Sequence, residues 1–503
     1  MEQNIINDYR ARVEAASQQV NKYKKLADQY SLMRLGVFAL MIVAIYFAVK
    51  LDNFTIIAVS FALLIFCFAW LVSRQSEFEL QEEYFQNLLK VNENEIQSII
   101  NHHNIYNKGS QFIDDKHFYS SDLDIFGEAS LFQLINRAST STGNNKLADW
   151  LKSPGEKSEI LSRQSAVREL ADKNDWKQEI QAKLLFAAKD DTDQLQKLFM
   201  YLHIPLELPG ERWLKAYIKI APFLLTGTLV FGCFYRVGWI VAIVIAILNL
   251  LILASKGSYI AKSSVIADKI GMVLTNYSRV FQSIETGQWE AGRCNDLAQK
   301  LKTGYTSRKI KELATLINKL NYNLVMIVGF LLNVFFLWAL KQVIAIENWK
   351  RNNEHNFEEA FDVIAEYEAL ISLASLRINY PDWCFPEIIE GENYTVTAKQ
   401  IAHPLISIDN RIANDYELTD TFKIDIITGS NMAGKSTFLR TIGINTVLAL
   451  CGAPVCAALM QVSVVTVLSY MRIKDSLNES TSTFKAELDR LQMLLAAVDS
   501  DAK

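Results

Sequence analysis

Four long apolar runs, arranged as two tight pairs, interrupt a chain that otherwise alternates apolar and polar positions at helical spacing. The first pair is LGVFALMIVAIYFAV (35–49) and FTIIAVSFALLIFCFAWLVS (54–73), joined by KLDN. The second is IAPFLLTGTLVFGCFY (220–235) and WIVAIVIAILNLLILA (239–254), joined by RVG. With a few flanking residues each arm approaches the roughly 20 residues that a helix needs to cross a bilayer, and core helices are rarely apolar all round. Two transmembrane helical hairpins are expected. A further run, NLVMIVGFLLNVFFLWAL (323–340), has the length of a span, with Tyr322, Trp338 and Lys341 as interface anchors. A single extra crossing would separate residues 341–503 from residues 74–216, so a buried or membrane-surface helix is expected there.

Outside these runs the texture is helical up to about residue 382. QSEFELQEEYFQNLLKVNENEIQSIINHHN (75–104) reads as a long amphipathic helix leaving the membrane. Segments 127–200 and 258–320 are helix-patterned with few glycines or prolines, and FEEAFDVIAEYEALISLASLRIN (357–379) is a strong helix closed by Pro381. Short apolar runs between turn residues then take over: YTVTAKQIAHPLIS, YELTDTFKIDIITGS and VSVVTVLSYMRI. They read as strands and open an α/β domain. The expected organisation is an N-terminal helix (1–33), hairpin 1 (34–73), a helical linker and core (74–216), hairpin 2 (217–255), a helical lever region with an apolar helix (256–382) and an α/β domain (383–503).

Composition and charge refine this picture. Half of the 503 residues are hydrophobic, and mean hydropathy is slightly positive, as membrane segments require. Lys22, Lys24, Lys25 and Arg34 precede hairpin 1 and Arg74 follows it, while Arg212, Lys215 and Lys219 precede hairpin 2 and Lys256 and Lys262 follow it. The hairpin tips carry only Lys50 and Arg236. The positive-inside rule then places both termini and residues 74–216 in the cytoplasm. A net charge of −4 supplies no global basic field, so any nucleic-acid role rests on a local patch. The six cysteines are scattered without a C-x-x-C pair, which points to a reducing compartment and no structural zinc.

The candidate chemistry lies in IDIITGSNMAGKSTFLRTIG (424–443), read as a buried strand, a glycine-framed loop and a helix start. Gly429, Ser430, Asn431, Met432, Ala433, Gly434, Lys435 and Ser436 satisfy G-x-x-x-x-G-K-[ST], and Thr437 follows in the first helical turn. The two glycines let the backbone curl so that successive N–H groups point at phosphate oxygens, and the helix start adds its dipole. Lys435 is positioned to reach β- and γ-phosphates and the Ser436 hydroxyl to ligate magnesium.

This stretch resembles the phosphate loop of the MutS family, where an Asn-Met pair sits inside the loop and Ser-Thr follows the lysine. HPL (403–405), RIAND (411–415), GAPVCA (452–457) and SYMRIKDSLNESTSTFKAEL (469–488) are similar to the family's flanking segments. SLFQLINRASTSTGNNKLADWLKSP (130–154), EILSRQSAVRELAD (159–172) and AEYEALISLASLRINYPDWCFPEI (365–388) resemble its core helical domain and the return into the ATPase. The resemblance implies an all-α core and lever, a C-terminal P-loop ATPase domain, ATP and Mg2+ as ligands, and a homodimer with composite sites. It places Arg411 and Ile412 against the adenine, and Ser482, with Ser480 as a near alternative register, on the γ-phosphate of the partner protomer. Lys435 and Ser482 would be the catalytic residues, and His403 a structural turn residue.

Two of the family's features have no counterpart. A hairpin and its following helix stand where the mismatch-reading domain would be, and the chain stops at LLAAVDSDAK, before the apolar strand that ends in Asp-Glu. A C-terminally incomplete copy is therefore expected, with weak nucleotide binding and crippled hydrolysis as given, and ATPase activity in a full-length protein. The resulting expectation is a membrane-anchored MutS-like ATPase in a bacterial-type inner or plasma membrane. Its ATPase domain would be cytoplasmic, with a dimer that closes on ATP and acts on DNA near the lipid. The alternative is a non-DNA membrane motor or scaffold acting on an envelope partner.

Overall fold

The computed structural model describes residues 2–51, 54–204, 208–264, 270–324, 326–353, 357–390, 394–418, 424–430, 433–471 and 483–499. Helix α1 (Glu2–Leu51) and helix α2 (Phe54–Asn101) fold back on one another, and each runs without a break from an apolar stretch into a polar stalk. Heptad spacing explains the zipper between the stalks. Tyr23 and Tyr30, seven residues apart, meet Phe85 and Phe78, also seven apart: Tyr23 stacks on Phe85 at 5.5 Å and Tyr30 sits edge-on to Phe78 at 5.1 Å.

The root of this hairpin is tied to the body by a buried polar network. Glu95 of α2 accepts from Arg137 Nε at 2.7 Å and Nη2 at 2.9 Å, and neither side chain reaches solvent. Asn379 donates to the same carboxylate at 2.7 Å, and Tyr9 of α1 donates to Asn379 at 2.9 Å. Arg137 also donates to Ser98 Oγ and to the carbonyls of Leu134 and Asn136. Burial alone would raise the Glu95 carboxyl, but Arg137 and then Lys177 override it and hold it at about 2. A lowered carboxyl pKa means that this stabilisation is fully present above the ordinary carboxylate range and is lost only as pH falls toward the folded value.

The body is built from short helices around one long spine. Helices α3 (Leu131–Ile135), α4 (Ser141–Lys152), α5 (Lys157–Asp172), α6 (Asn174–Leu184) and α7 (Ala187–His203) lead into the second apolar pair, α8 (Glu211–Phe234) and α9 (Arg236–Ser255). Helices α10 (Gly257–Ser264), α11 (Ile270–Thr286), α12 (Gly292–Gly304), α13 (Thr306–Asn321), α14 (Met326–Phe336) and α15 (Trp338–Asn352) return to the spine, α16 (Phe357–Asn379). Most of α16 between Ala360 and Leu376 is buried. Its Glu368 accepts from the backbone N–H of Ser139 and Thr140 and pairs with the Thr140 hydroxyl, while Thr140 Oγ1 accepts from Gly143 N at 2.9 Å. The start of α4 is thus capped from both sides.

Beyond α16 a four-stranded mixed sheet has the order β1-β4-β2-β3, with β1 Glu387–Ile389, β2 Val396–Ile401, β3 Asn414–Leu418 and β4 Leu459–Ser463. Strands β1 and β4 are parallel, and β2 is antiparallel to both β3 and β4. Helix α17 (Lys435–Cys451) lies between β3 and β4 in sequence, and α18 (Thr483–Asp499) follows.

Two sequence expectations are corrected. Residues 424–430 form no strand, and Ile424 and Ile426 are 81% and 83% exposed. Their β-propensity has no neighbouring strand to act on among the described residues, and a lone extended segment leaves its backbone groups unpaired. The run 323–340 is two helices, not one, because Leu337 adopts φ 44° and the chain bends there by 75°.

Among the described residues, three helical stretches are by length and composition able to cross a membrane: Glu2–Ala44, Glu211–Phe234 and Arg236–Ser255, with the bent pair Val328–Phe336 and Trp338–Asn352 a fourth if counted as one. Replacing Arg137 tests the root of hairpin 1. Arg137→Met leaves the Glu95 carboxylate buried without its guanidinium partner, a loss of about 3–5 kcal/mol, and amide exchange at residues 91–101 and 134–140 should rise. Adding Glu95→Gln should restore part of the protection; unchanged exchange in the single variant contradicts the assignment.

Candidate functional site

The glycine-framed loop forms the mouth of α17. Gly434 caps the helix at φ 81°, a left-handed conformation that a side-chain-bearing residue adopts only at a cost. Ala433 N donates to Ser430 O at 3.2 Å, and Phe438 N donates to Gly434 O at 2.8 Å, so the turn closes directly onto the first helical turn. Helices leave their first amides without intrahelical carbonyls, and the dipole concentrates positive charge there. Lys435 crosses back over the loop and donates to Gly429 O and Ser430 O, each at 2.7 Å. Gly429, Ser430, Ala433, Gly434, Ser436 and Thr437 are exposed. Asn431, Met432, Ser480 and Ser482 lie outside the described residues.

Arg411 is placed differently from the loop residues. Its guanidinium donates to Ile406 O at 3.0 and 2.9 Å and to Cys456 Sγ at 3.2 Å, and it lies 5.8 Å from the Trp383 ring centre. Ile412 is 78% exposed. His403 is buried, and its Nδ1 accepts from Leu405 N at 3.3 Å within a turn. Burial pushes its imidazole below the usual range, with the Arg440 charge adding to the effect.

What holds α17 in place was not visible in the motif. Asn445, fully buried, donates to Ala402 O at 3.0 Å and accepts from Cys456 N at 2.8 Å, so one side chain ties the helix to the end of β2 and to the 453–457 turn. Helix α17 is seated on the helical body at more than one place. In its first half Arg440 pairs with Asp124 at 2.8 Å, and at its midpoint Gly443 faces Leu123 so closely that an added Cβ would lie 2.9 Å from a Leu123 methyl. At its end, Gly155 N donates to Leu450 O, and Gly452, at φ 91°, packs on Arg163, which itself lies 4.2 Å from the Trp150 ring centre. The 115–124 loop also receives Ser469 Oγ on Asp122 at 2.9 Å and Arg490 of α18, whose Nη1 donates to Asp115 O at 3.0 Å.

Comparison with known proteins supports this two-part reading. Residues 113–220 match MutS domain III, and residues 425–502 match MutS domain V. Asp122, Leu123 and Asp124 therefore belong to one matched region and Arg440, Gly443 and Arg490 to the other. The chain is 31% identical over 142 residues to the DNA mismatch repair protein MutS 1 of Halobacterium salinarum, covering 28% of this chain and 16% of that protein. It is 34% identical over 130 residues to the DNA mismatch repair protein MSH3 of Candida glabrata (25% and 12%) and 35% identical over 127 residues to MutS of Ehrlichia chaffeensis (25% and 15%). The chain thus spans about a sixth or less of the length of these curated relatives.

The contact at Gly443 gives a direct check. Gly443→Leu forces Leu123 out of its buried position and should destabilise the α17 seat by about 1–3 kcal/mol. Exchange should then rise at residues 119–125 as well as within α17. A rise confined to α17 contradicts the contact.

Proposed function

Because the chain belongs to the MutS family, matching its domains III and V, we propose that it is a membrane-anchored ATPase whose nucleotide state is passed to a helical body held at the lipid surface. The observation that carries this reading is the seating of α17 on the body in its first half and at its end, through Arg440–Asp124 and through Gly452 on Arg163. A ligand that reorganises the loop at the head of α17 acts on a helix with no slack toward the body.

The loop residues fit a nucleotide triphosphate. The exposed mouth of α17, the left-handed Gly434 and a lysine donating to its own loop carbonyls would make a phosphate cradle. Gly429, Ser430, Asn431, Met432, Ala433, Gly434, Lys435, Ser436 and Thr437 would surround the phosphates, with Ser436 as the protein's ligand to Mg2+. The ion would neutralise charge on the phosphate oxygens. Lys435 would exchange its two carbonyls for phosphate oxygens. Ile412, exposed, is available to the base, whereas Arg411 would have to leave Ile406 O and Cys456 to stack on it. Ser482 would complete the site of a second protomer, making the working unit a homodimer.

Lipid is the natural solvent for the apolar helices. Val237, Ile240, Ile243, Val244, Ile247 and Leu251 of α9 and Phe223, Val230, Phe231 and Phe234 of α8 are exposed on the protein surface. Fully burying such a side chain is worth about 1.5–3 kcal/mol. With both hairpins inserted and basic residues at their feet, the body and the phosphate loop face the cytoplasm of a bacterial-type inner or plasma membrane.

The named relatives are DNA mismatch repair proteins, and DNA held near the membrane is the load we assign. The net charge of −4 favours one alternative, a motor or scaffold acting on an envelope partner. Lys435→Ala should weaken ATP photo-crosslinking about ten- to a hundredfold, as loss of charge-assisted hydrogen bonds worth about 1.5–3 kcal/mol implies; undiminished labelling contradicts the cradle. Filter binding of the solubilised protein to duplex DNA across a salt series separates the loads. A steep salt dependence supports DNA, and no retention at low salt leaves the envelope partner.

A further inference from the structure

We propose that α14 is a re-entrant segment embedded among the acyl chains of the cytoplasmic leaflet, beside hairpin 2, which enters and leaves on the same side. This rests on the membrane reading above and adds a third lipid-contacting element to it.

Length excludes a crossing by α14 alone. Its 11 residues extend about 16 Å, roughly half of the hydrocarbon thickness. Its inner face continues the apolar surface of hairpin 2, with Val334 packing in one buried cluster with Leu225 of α8 and Ala242 of α9. Its other faces leave Met326, Val328, Phe330 and Leu331 exposed. Acyl chains already required around α8 and α9 are the occupant that this continuity selects.

The break between α14 and α15, at the foot of the segment, is built with side-chain partners for its freed backbone groups. A broken helix in hydrocarbon must find internal partners for the backbone groups that it frees. Leu337, fully buried at φ 44°, makes the break. Asn333 Oδ1 accepts from Ala339 N at 2.9 Å at the start of α15, and Asn333 Nδ2 donates to Asn323 Oδ1 at 2.5 Å. Asn249, fully buried in the apolar α9, donates to Val334 O at 2.8 Å, and Tyr217 donates to Asn249 Oδ1 at 2.7 Å. These two asparagines supply what a straight helix would have supplied through its own ladder.

The two ends of the segment meet at one level. Tyr322, just before α14, stacks on Trp338, just after it, at 6.4 Å. Trp338 Nε1 donates to Lys319 O at 2.7 Å, and Lys341 lies 5.8 Å from the Trp338 ring centre. Tyr, Trp and Lys gathered at both ends form the pattern of a membrane–water boundary. From there α15 returns to the body, where Val343 and Ile346 are buried and Lys350 donates to Tyr201 O and Ile204 O. The number of crossings therefore stays even, and the phosphate loop remains on the same side as residues 74–204.

Depth-dependent fluorescence quenching tests this. The full chain, with Cys67 and Cys233 changed to Ala, carries an environment-sensitive label at Phe330→Cys, Met326→Cys or, as a reference, Ile243→Cys of α9. It is reconstituted in vesicles whose lipids bear a nitroxide either just below the headgroup or at the acyl-chain end. The expected result is strong quenching at 326 and 330 by the shallow nitroxide and loss of most of it with the deep one, while 243 is quenched by the deep one. Quenching at 330 by the deep nitroxide equal to that at 243 would overturn the re-entrant path in favour of a span. Quenching at 243 with none at 326 or 330 would overturn the lipid contact of α14 and leave the two hairpins standing. No quenching at any position would remove the membrane reading and this inference together. Asn249→Leu, labelled at 330, should shift the quenching ratio; an unchanged ratio contradicts the role given to Asn249.

Discussion

Glu95 and Arg137, neither of which touches solvent, join the stalk of hairpin 1 to the helical body. The pair is complete in hydrogen-bonding terms, since Arg137 also reaches Ser98 and two carbonyls and Glu95 also receives Asn379. That completeness matters because a buried charge left without its partner is strongly destabilising, while a fully paired one fixes a unique arrangement. Through Asn379 the network extends to Tyr9 on α1 and sits at the last residue of α16, next to where the chain enters the sheet. The stalk of hairpin 1, the body and the approach to the sheet are therefore one mechanical unit.

The second joint is the seat of α17. Its Arg440 and Gly443 engage the 115–124 loop, and its C-terminal turn rests on Arg163 and Gly155. The same loop receives Ser469 and Arg490. Packed interiors transmit displacement poorly by bending and well by moving as a body. On the function proposed above, a change at the head of α17 would pass through the loop to the core helices, and from there through Arg137 to the stalk.

Sequence alone made some of this legible. The two helical hairpins stand out because long apolar runs joined by three or four residues fold back on themselves, and Gly434 marks the start of α17. Other features needed distant partners. Glu95 lies in KVNENEIQS, which reads as the wet face of an amphipathic helix until Arg137, 42 residues away, is brought to it. The break at Leu337 carries no proline or glycine, and its cause is an asparagine side chain that competes for an amide. The segment 424–430 has the composition of a strand, but strand formation depends on neighbours that its own residues do not encode. Asn445 and Gly443 lie in a helix whose motif ends before them, and their roles come from what packs opposite.

We propose that the loop at the head of α17 and the root of hairpin 1 are coupled through the body. Amide exchange of the solubilised full chain, with and without Mg2+ and a slowly hydrolysed ATP analogue, tests it most directly. The account predicts protection that starts at residues 433–443 and extends to 118–125 and to 91–101, with the last of these lost in Arg137→Met while the first remains. Protection confined to 433–443 in the unaltered protein would contradict it.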